Sequence, residues 1–149
     1  MTTTLAPTTT VGTVDLTVAD LDRSIDFYAR IFGWDVQGRG DGYAFLGDDD
    51  RLVLTLWNQS SGSFATDQPG LHHLSFQVDS IDEVEQAEKR VRELGLKLHH
   101  DGIVPHGEGQ SSGGIFFEDP DGIRLEIYTG TGADAHREAP SAAPTCGFF

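Results

Sequence analysis

The sequence predicts an α+β fold built from two βαβββ modules, and three observations carry that prediction. Residues 13–22, TVDLTVADLD, align with residues 73–82, HLSFQVDSID, at a constant offset of 60 positions. Each copy opens with apolar residues at every second position and then changes to a 3.6-residue period, so a strand runs into a helix twice. Three short β-like segments, separated by the turn signals GRGDG, GDDD and EDPDG, complete the two copies.

Taken in order, residues 1–11 read as a flexible Thr-rich tail and residues 12–66 as the first module. Its opening strand runs through Val14, Leu16 and Val18. Asp20 is placed to cap a helix whose apolar stripe is Leu21, Ile25, Tyr28 and Phe32, and Gly33 ends it. The three strands expected next are 35–37, 43–46 and 52–57. The second module, residues 67–128, repeats the scheme. Its first strand carries Leu74, Phe76 and Val78, and Ser80 with Glu83 forms a capping box. Val84, Ala87, Val91 and Leu94 make its helical stripe, Gly95 closes it, and strands are expected over 97–100, 114–117 and 124–128. Residues 129–149 form a Gly-, Ala- and Pro-rich tail with little apolar period, and both modules make one domain.

Charge narrows the partners. Ten Lys and Arg against 24 Asp and Glu give a net charge of −14, which repels nucleic-acid phosphates and anionic membrane surfaces. The single cysteine, Cys146, forms no intrachain disulfide, and no Cys/His finger spacing is present, so a reducing cytoplasm is expected. No apolar run is long enough to span a bilayer.

Period two sorts the strand residues into two faces. Val14, Leu16, Val18, Leu52, Leu54, Leu56, Leu74, Phe76, Val78, Ile123, Leu125 and Ile127 form the expected core face. The other face carries Thr13, Asp15, Thr17, Val53, Thr55, Trp57, His73, Ser75, Gln77, Arg124, Glu126 and Tyr128. An antiparallel sheet commonly turns such a face to water, but aromatic rings among titratable groups suit a small-molecule cleft. On that reading Thr13, Asp15, Thr55, Trp57, Arg124 and Tyr128 are candidate substrate-binding residues. Asp15 is expected to pair with Arg124. His72 should point away from His73.

The runs VDLTVADLDRSIDFYARIFGW, HHLSFQVDS and GIFFEDPDGIRLEIY resemble the vicinal oxygen chelate superfamily, which includes glyoxalase I, bleomycin and fosfomycin resistance proteins and extradiol dioxygenases. The resemblance implies that the two modules curl into an open mixed-sheet barrel, paired within one chain or across a homodimer. It also implies a divalent-metal site, with Fe(II), Mn, Ni or Zn held by side chains of the first and last strand of each module. Those four positions here are Thr13, Thr55, His73 and Glu126, so the resemblance makes His73 and Glu126 the candidate metal ligands and departs from the family at Thr13. A chelating substrate or water could complete the shell; His72, His106 and Cys146 are the other candidates. His106 lies in VPHGEGQSSGG, where the ring-cleavage dioxygenases hold an acid/base histidine, and is the candidate catalytic residue.

Two function classes fit these residues. One is a metal-dependent enzyme, a dioxygenase or glyoxalase-like lyase, favoured by His73, Glu126 and His106. The other is a metal-free protein that sequesters a drug or natural product, favoured by Thr13 and Thr55, in which His73 is a hydrogen-bonded barrel histidine. DPDG reads as a structural turn. The terminal Phe148 and Phe149 are expected to fold back onto apolar surface or the cleft mouth.

Overall fold

Two copies of one topology make up a computed structural model that describes residues 8–149, so most of the expected N-terminal tail lies outside the described residues. The first copy is β1 (Asp15–Thr17), α1 (Leu21–Phe32), β2 (Asp35–Gly40), β3 (Tyr43–Asp48) and β4 (Arg51–Trp57). The second is β5 (Leu74–Gln77), α2 (Ile81–Glu93), β6 (His99–Pro105), β7 (Gly113–Glu118) and β8 (Arg124–Thr129). The sheet orders are β1-β4-β3-β2 and β5-β8-β7-β6, and neither closes on itself. In each sheet the first strand pairs in parallel with the last, which requires the crossover that the helix supplies. Asp15 stands opposite Thr55 and Ser75 opposite Glu126, so Thr55 and Glu126 occupy equivalent places in the repeat.

Local chemistry sets the helix ends. The Asp20 carboxylate accepts from Arg23 N, and Gly33 adopts the left-handed conformation (φ 74°) that terminates α1. Both arms of the Ser80–Glu83 capping box are formed at α2. The helices bury Leu21, Phe27, Tyr28, Ile31, Val84, Ala87 and Val91 against the apolar sheet faces in one shared core. Phe32, Trp34 and Phe76 join the two copies as an aromatic cluster, with Phe32 and Trp34 stacked at 4.2 Å. Among the described residues no helix is long and apolar enough to cross a membrane.

Three details differ from the alternation pattern. Leu52, expected in the core, is exposed, because the β3–β4 register shifts between Leu46 and Gly47 and rolls the start of β4 outward. Leu94 also stays at the surface, since it caps α2 instead of extending its buried stripe. The strand expected over 97–100 begins at His99 and runs to Pro105. Positive φ at His100, Asp101 and Gly102 breaks the ladder between His99 and Val104, after which the chain pairs again with β7.

The DPDG turn joins the two copies. Asp119 is buried; one carboxylate oxygen accepts from the backbone of Asp121 and Ile123 (2.9 Å each) and the other from the Tyr28 hydroxyl on α1 (2.8 Å). Asp121 adds an ion pair with Arg23 at 3.0 Å. Burial, reinforced by the charge of Asp119, raises the Tyr28 phenol well above its usual value of 10.0. A raised folded-state value leaves stability intact below the unfolded value and removes it as pH climbs toward the folded one. Wild-type stability should therefore fall above about pH 10, whereas Tyr28→Phe should flatten that limb and cost about 1–2 kcal/mol at neutral pH through the lost hydrogen bond. Urea melts across pH check both, and equal alkaline slopes would remove Tyr28 as their source.

Candidate functional site

Glu126 is the centre of the most concentrated polar cluster on the strand face opposite the core. Although it lies on the polar side of β8, it is only 2% exposed. Its Oε1 is 3.1 Å from His73 Nε2 and accepts from Ser75 Oγ at 2.9 Å, while its Oε2 is 2.5 Å from His106 Nε2. A carboxylate only accepts, so both imidazoles present Nε2–H to it. The other ring nitrogens are also engaged. His106 Nδ1 is 3.0 Å from Ser112 Oγ, and His73 Nδ1 is 2.8 Å from His72 Nδ1. With His73 neutral and protonated at Nε2, His72 donates that last bond. The result is a continuous chain of hydrogen bonds, Ser112–His106–Glu126–His73–His72.

The fold explains how distant residues meet. Parallel pairing of β5 and β8 sets Ser75 opposite Glu126, and His73 just before β5 shares its side of the sheet. His106 follows β6 and is tied to the β7 approach by the bond from its N–H to Ser112 O. Tyr128 covers His106 with ring centroids 5.1 Å apart and donates its hydroxyl to Gln77. His72 does not point away from His73. Both precede the first residue of β5, where strand alternation does not apply, and their rings meet edge to face at 5.0 Å.

The segment after Tyr128 supplies a roof. Thr145 donates its N–H to His106 O and its hydroxyl to Pro105 O, and a 3-10 turn over Thr145–Gly147 follows. This turn brings Cys146 close enough for the Glu126 charge to add to burial in raising its thiol pKa. It also lays the Phe149 ring 5.3 Å from His73 and His99 and 5.2 Å from Phe116, with the Arg124 guanidinium 5.4 Å from the ring centroid. Phe148 is 63% exposed, so only one of the two terminal phenylalanines folds back. Arg124 therefore faces Phe149, and the expected Asp15–Arg124 pair is absent. Asp15 instead accepts from Trp57 Nε1 at 2.9 Å and from Thr13, which hold its carboxyl below the usual range.

The first-sheet candidates thus form a separate group. Trp57 packs toward Tyr43, and Thr55 is buried on the first sheet. Thr13 approaches the second sheet across a cavity of about 550 Å³ that it shares with Val53, Ser75, Gln77 and Trp34. Period two had already placed Ser75 on the Glu126 face. His99 and Phe116 stand in register with Glu126 across β6, β7 and β8, and Ser112 meets His106 across the β6–β7 approach, so it is pairing between distant segments that brings them in.

His73 Nε2 and Glu126 Oε1 lie 3.1 Å apart, and once Nε2 gives up its proton an imidazole with a carboxylate would suit Fe(II), Mn, Ni or Zn. His106 approaches the other carboxylate oxygen, and among the described residues no three His, Cys, Asp or Glu side chains are arranged to hold a metal ion. Among the described residues there is a fitting pair with no third acidic, imidazole or thiol donor arranged beside it.

Comparison with known proteins gives a consistent picture. The Glyoxalase/Bleomycin resistance protein/Dioxygenase superfamily model matches residues 10–127. A catechol-2,3-dioxygenase of Bacillus subtilis is 28% identical over 123 residues, 80% of this chain but 41% of its own length, so the chain spans about two fifths of that relative. The glutathione transferase FosA of Serratia marcescens is 28% identical over 131 residues, covering 85% of this chain and 87% of the relative. Among solved structures, a glyoxylase/bleomycin resistance protein/dioxygenase domain from Frankia sp. superposes with a TM-score of 0.65 at 29% identity, covering 83% of this chain and 99% of that one.

Proposed function

Because the chain belongs to the glyoxalase/bleomycin resistance protein/dioxygenase superfamily, we propose that it is a metal-dependent enzyme of the dioxygenase or glyoxalase-like lyase kind, acting on an oxygen-rich or aromatic small molecule. The observation that carries this reading is a buried carboxylate with an imidazole on each of its oxygens, on a face rimmed by aromatic rings. His73 and Glu126 would hold the cation, which supplies Lewis-acid polarisation of the substrate's neighbouring oxygens when bound. Ser75 and His72 orient those two side chains through Oε1 and Nδ1. His106, anchored by Ser112, is the group that takes and returns a proton. Arg124 and Tyr128 flank the substrate.

Calorimetric titration of protein purified without a His-tag, using Mn, Ni, Zn or Fe(II), tests the reading. His73→Ala should lose roughly 100-fold or more in affinity relative to wild type. Equal binding by both proteins would move the ion elsewhere, and no binding by wild type would overturn the metal-dependent reading. A second reading rests on Thr13 standing where a first-strand ligand is expected: a metal-free protein that sequesters an aromatic drug or natural product. In that case an aromatic ligand should bind equally with and without chelator, and no product should form.

A further inference from the structure

Phe149 has a different setting from its neighbour Phe148. Its ring is edged by His73, His99 and Phe116 and sits beneath the Arg124 guanidinium, a constellation drawn from four separate stretches of the second sheet. The neighbouring Phe148, chemically identical, stays in solvent. The anchor lies four residues upstream at Thr145, bonded to Pro105 and His106. Beyond it the tip is held by the short turn bonds Gly147 N–H to Pro144 O and Phe148 N–H to Thr145 O. The His100 imidazole also bonds the backbone at Phe148, so the tip lifts with the anchor in place once that single side-chain bond and the two local turn bonds pass to water.

We infer that the slot bounded by His73, His99, Phe116 and Arg124 is a ring-binding subsite for an electron-rich aromatic ligand, and that Phe149 is its built-in competitor, displaced when the ligand enters. The inference rests on reading the Glu126 face as the substrate site and adds the identity of the subsite and its internal occupant. A guanidinium 5.4 Å from a ring centroid is attracted to the ring's negative face, and this attraction grows as the ring becomes more electron-rich. A dihydroxylated ring is therefore bound more strongly than the phenyl group it replaces. Such a ring, seated where Phe149 now touches His73, would direct its oxygens toward Glu126 and His106. Because ligand and Phe149 compete, the apparent affinity of the wild type is lowered by the fraction of molecules in which the slot is filled.

The experiment uses the full chain as wild type, Phe149→Ala and Phe148→Ala, with 4-methylcatechol, an electron-rich ring, as the probe under anaerobic conditions. Calorimetry should show Phe149→Ala binding the probe about tenfold more tightly than wild type, with Phe148→Ala unchanged. In wild type the probe should also speed alkylation of Cys146 by iodoacetamide several-fold, because Cys146 is the chain's single cysteine and rides on the displaced tip. In Phe149→Ala that rate should already be high without probe. Equal or weaker probe binding by Phe149→Ala, absence of probe binding to either protein, or alkylation slowed or unaltered by probe would each overturn the inference. Titrating Mn into the same samples keeps the two readings apart. Intact cation binding with no effect of Phe149→Ala defeats the competitor alone, whereas competition without cation binding defeats the metal-dependent reading alone.

Discussion

His106→Ala is expected to lower kcat about 10²- to 10⁴-fold while KM changes by no more than a few-fold, the size and pattern for losing a group that moves a proton in the transition state. The assay pairs metal-loaded protein with a catechol panel, followed by oxygen consumption, and with a thiol–aldehyde adduct for lyase chemistry. The structure supplies the reason for the asymmetry between kcat and KM. His106 Nε2 lies on Glu126 Oε2, the oxygen facing away from His73, and its Nδ1 is engaged by Ser112. It is therefore oriented on both sides without being one of the paired donors on Oε1. Ser112→Ala, which loosens the ring but keeps it, should cost much less and shift the pH profile. Cation affinity decides the role: if His106→Ala weakens binding as much as His73→Ala does, His106 is a metal donor and the proton-transfer role fails. Unchanged kcat would remove it from the chemistry altogether.

The largest stability effect is expected at Asp119, far from that chemistry. Asp119→Ala removes the acceptor of two backbone N–H groups and of the Tyr28 hydroxyl in a buried turn. Burial raises the Asp119 carboxyl pKa, so the native side chain carries a desolvation cost that the alanine variant escapes. Three lost bonds at about 1–1.5 kcal/mol each outweigh that relief, leaving a net loss of about 3 kcal/mol and a Tm lower by roughly 6–12 °C. Asp119→Asn keeps an acceptor for the turn and should lose less than half as much. A Tm within about 1 °C of wild type for Asp119→Ala would mean that the DPDG turn does not hold the first helix to the second sheet.

Much of the fold was legible because it is local and repeated. The Ser80–Glu83 box, Asp20 and Gly33 act within one helical turn, and the change from a 2-residue to a 3.6-residue period is visible wherever an element buries one face. The equivalence of Thr55 and Glu126 as last-strand positions came with the resemblance, whereas the parallel β1–β4 and β5–β8 pairings that realise it came from the folded chain. His73 and Glu126 were identifiable as partners through the family resemblance that HHLSFQVDS and GIFFEDPDGIRLEIY carry.

Tertiary structure decided what lies on that framework. Alternation holds only inside a strand, so it misdirected His72, which precedes β5, and Leu52, which sits at a register shift. Which charges pair across the surface depends on how the sheets are turned. Asp15 bonds to Trp57, and Arg124 takes the Phe149 ring. The roof over Glu126 is the clearest case. Residues 129–149 lack apolar periodicity, yet two bonds from Thr145 to the Pro105–His106 backbone lay them across the second sheet. Such long-range contacts are specified by the complementary shape and hydrogen-bonding groups of two distant segments, and no window of sequence contains both. The sequence therefore determined two modules and offered His73, Glu126, His106 and two phenylalanines as candidates, while only the folded chain decided that His106 bonds the second oxygen of Glu126 and that Phe149 covers the site while Phe148 stays exposed.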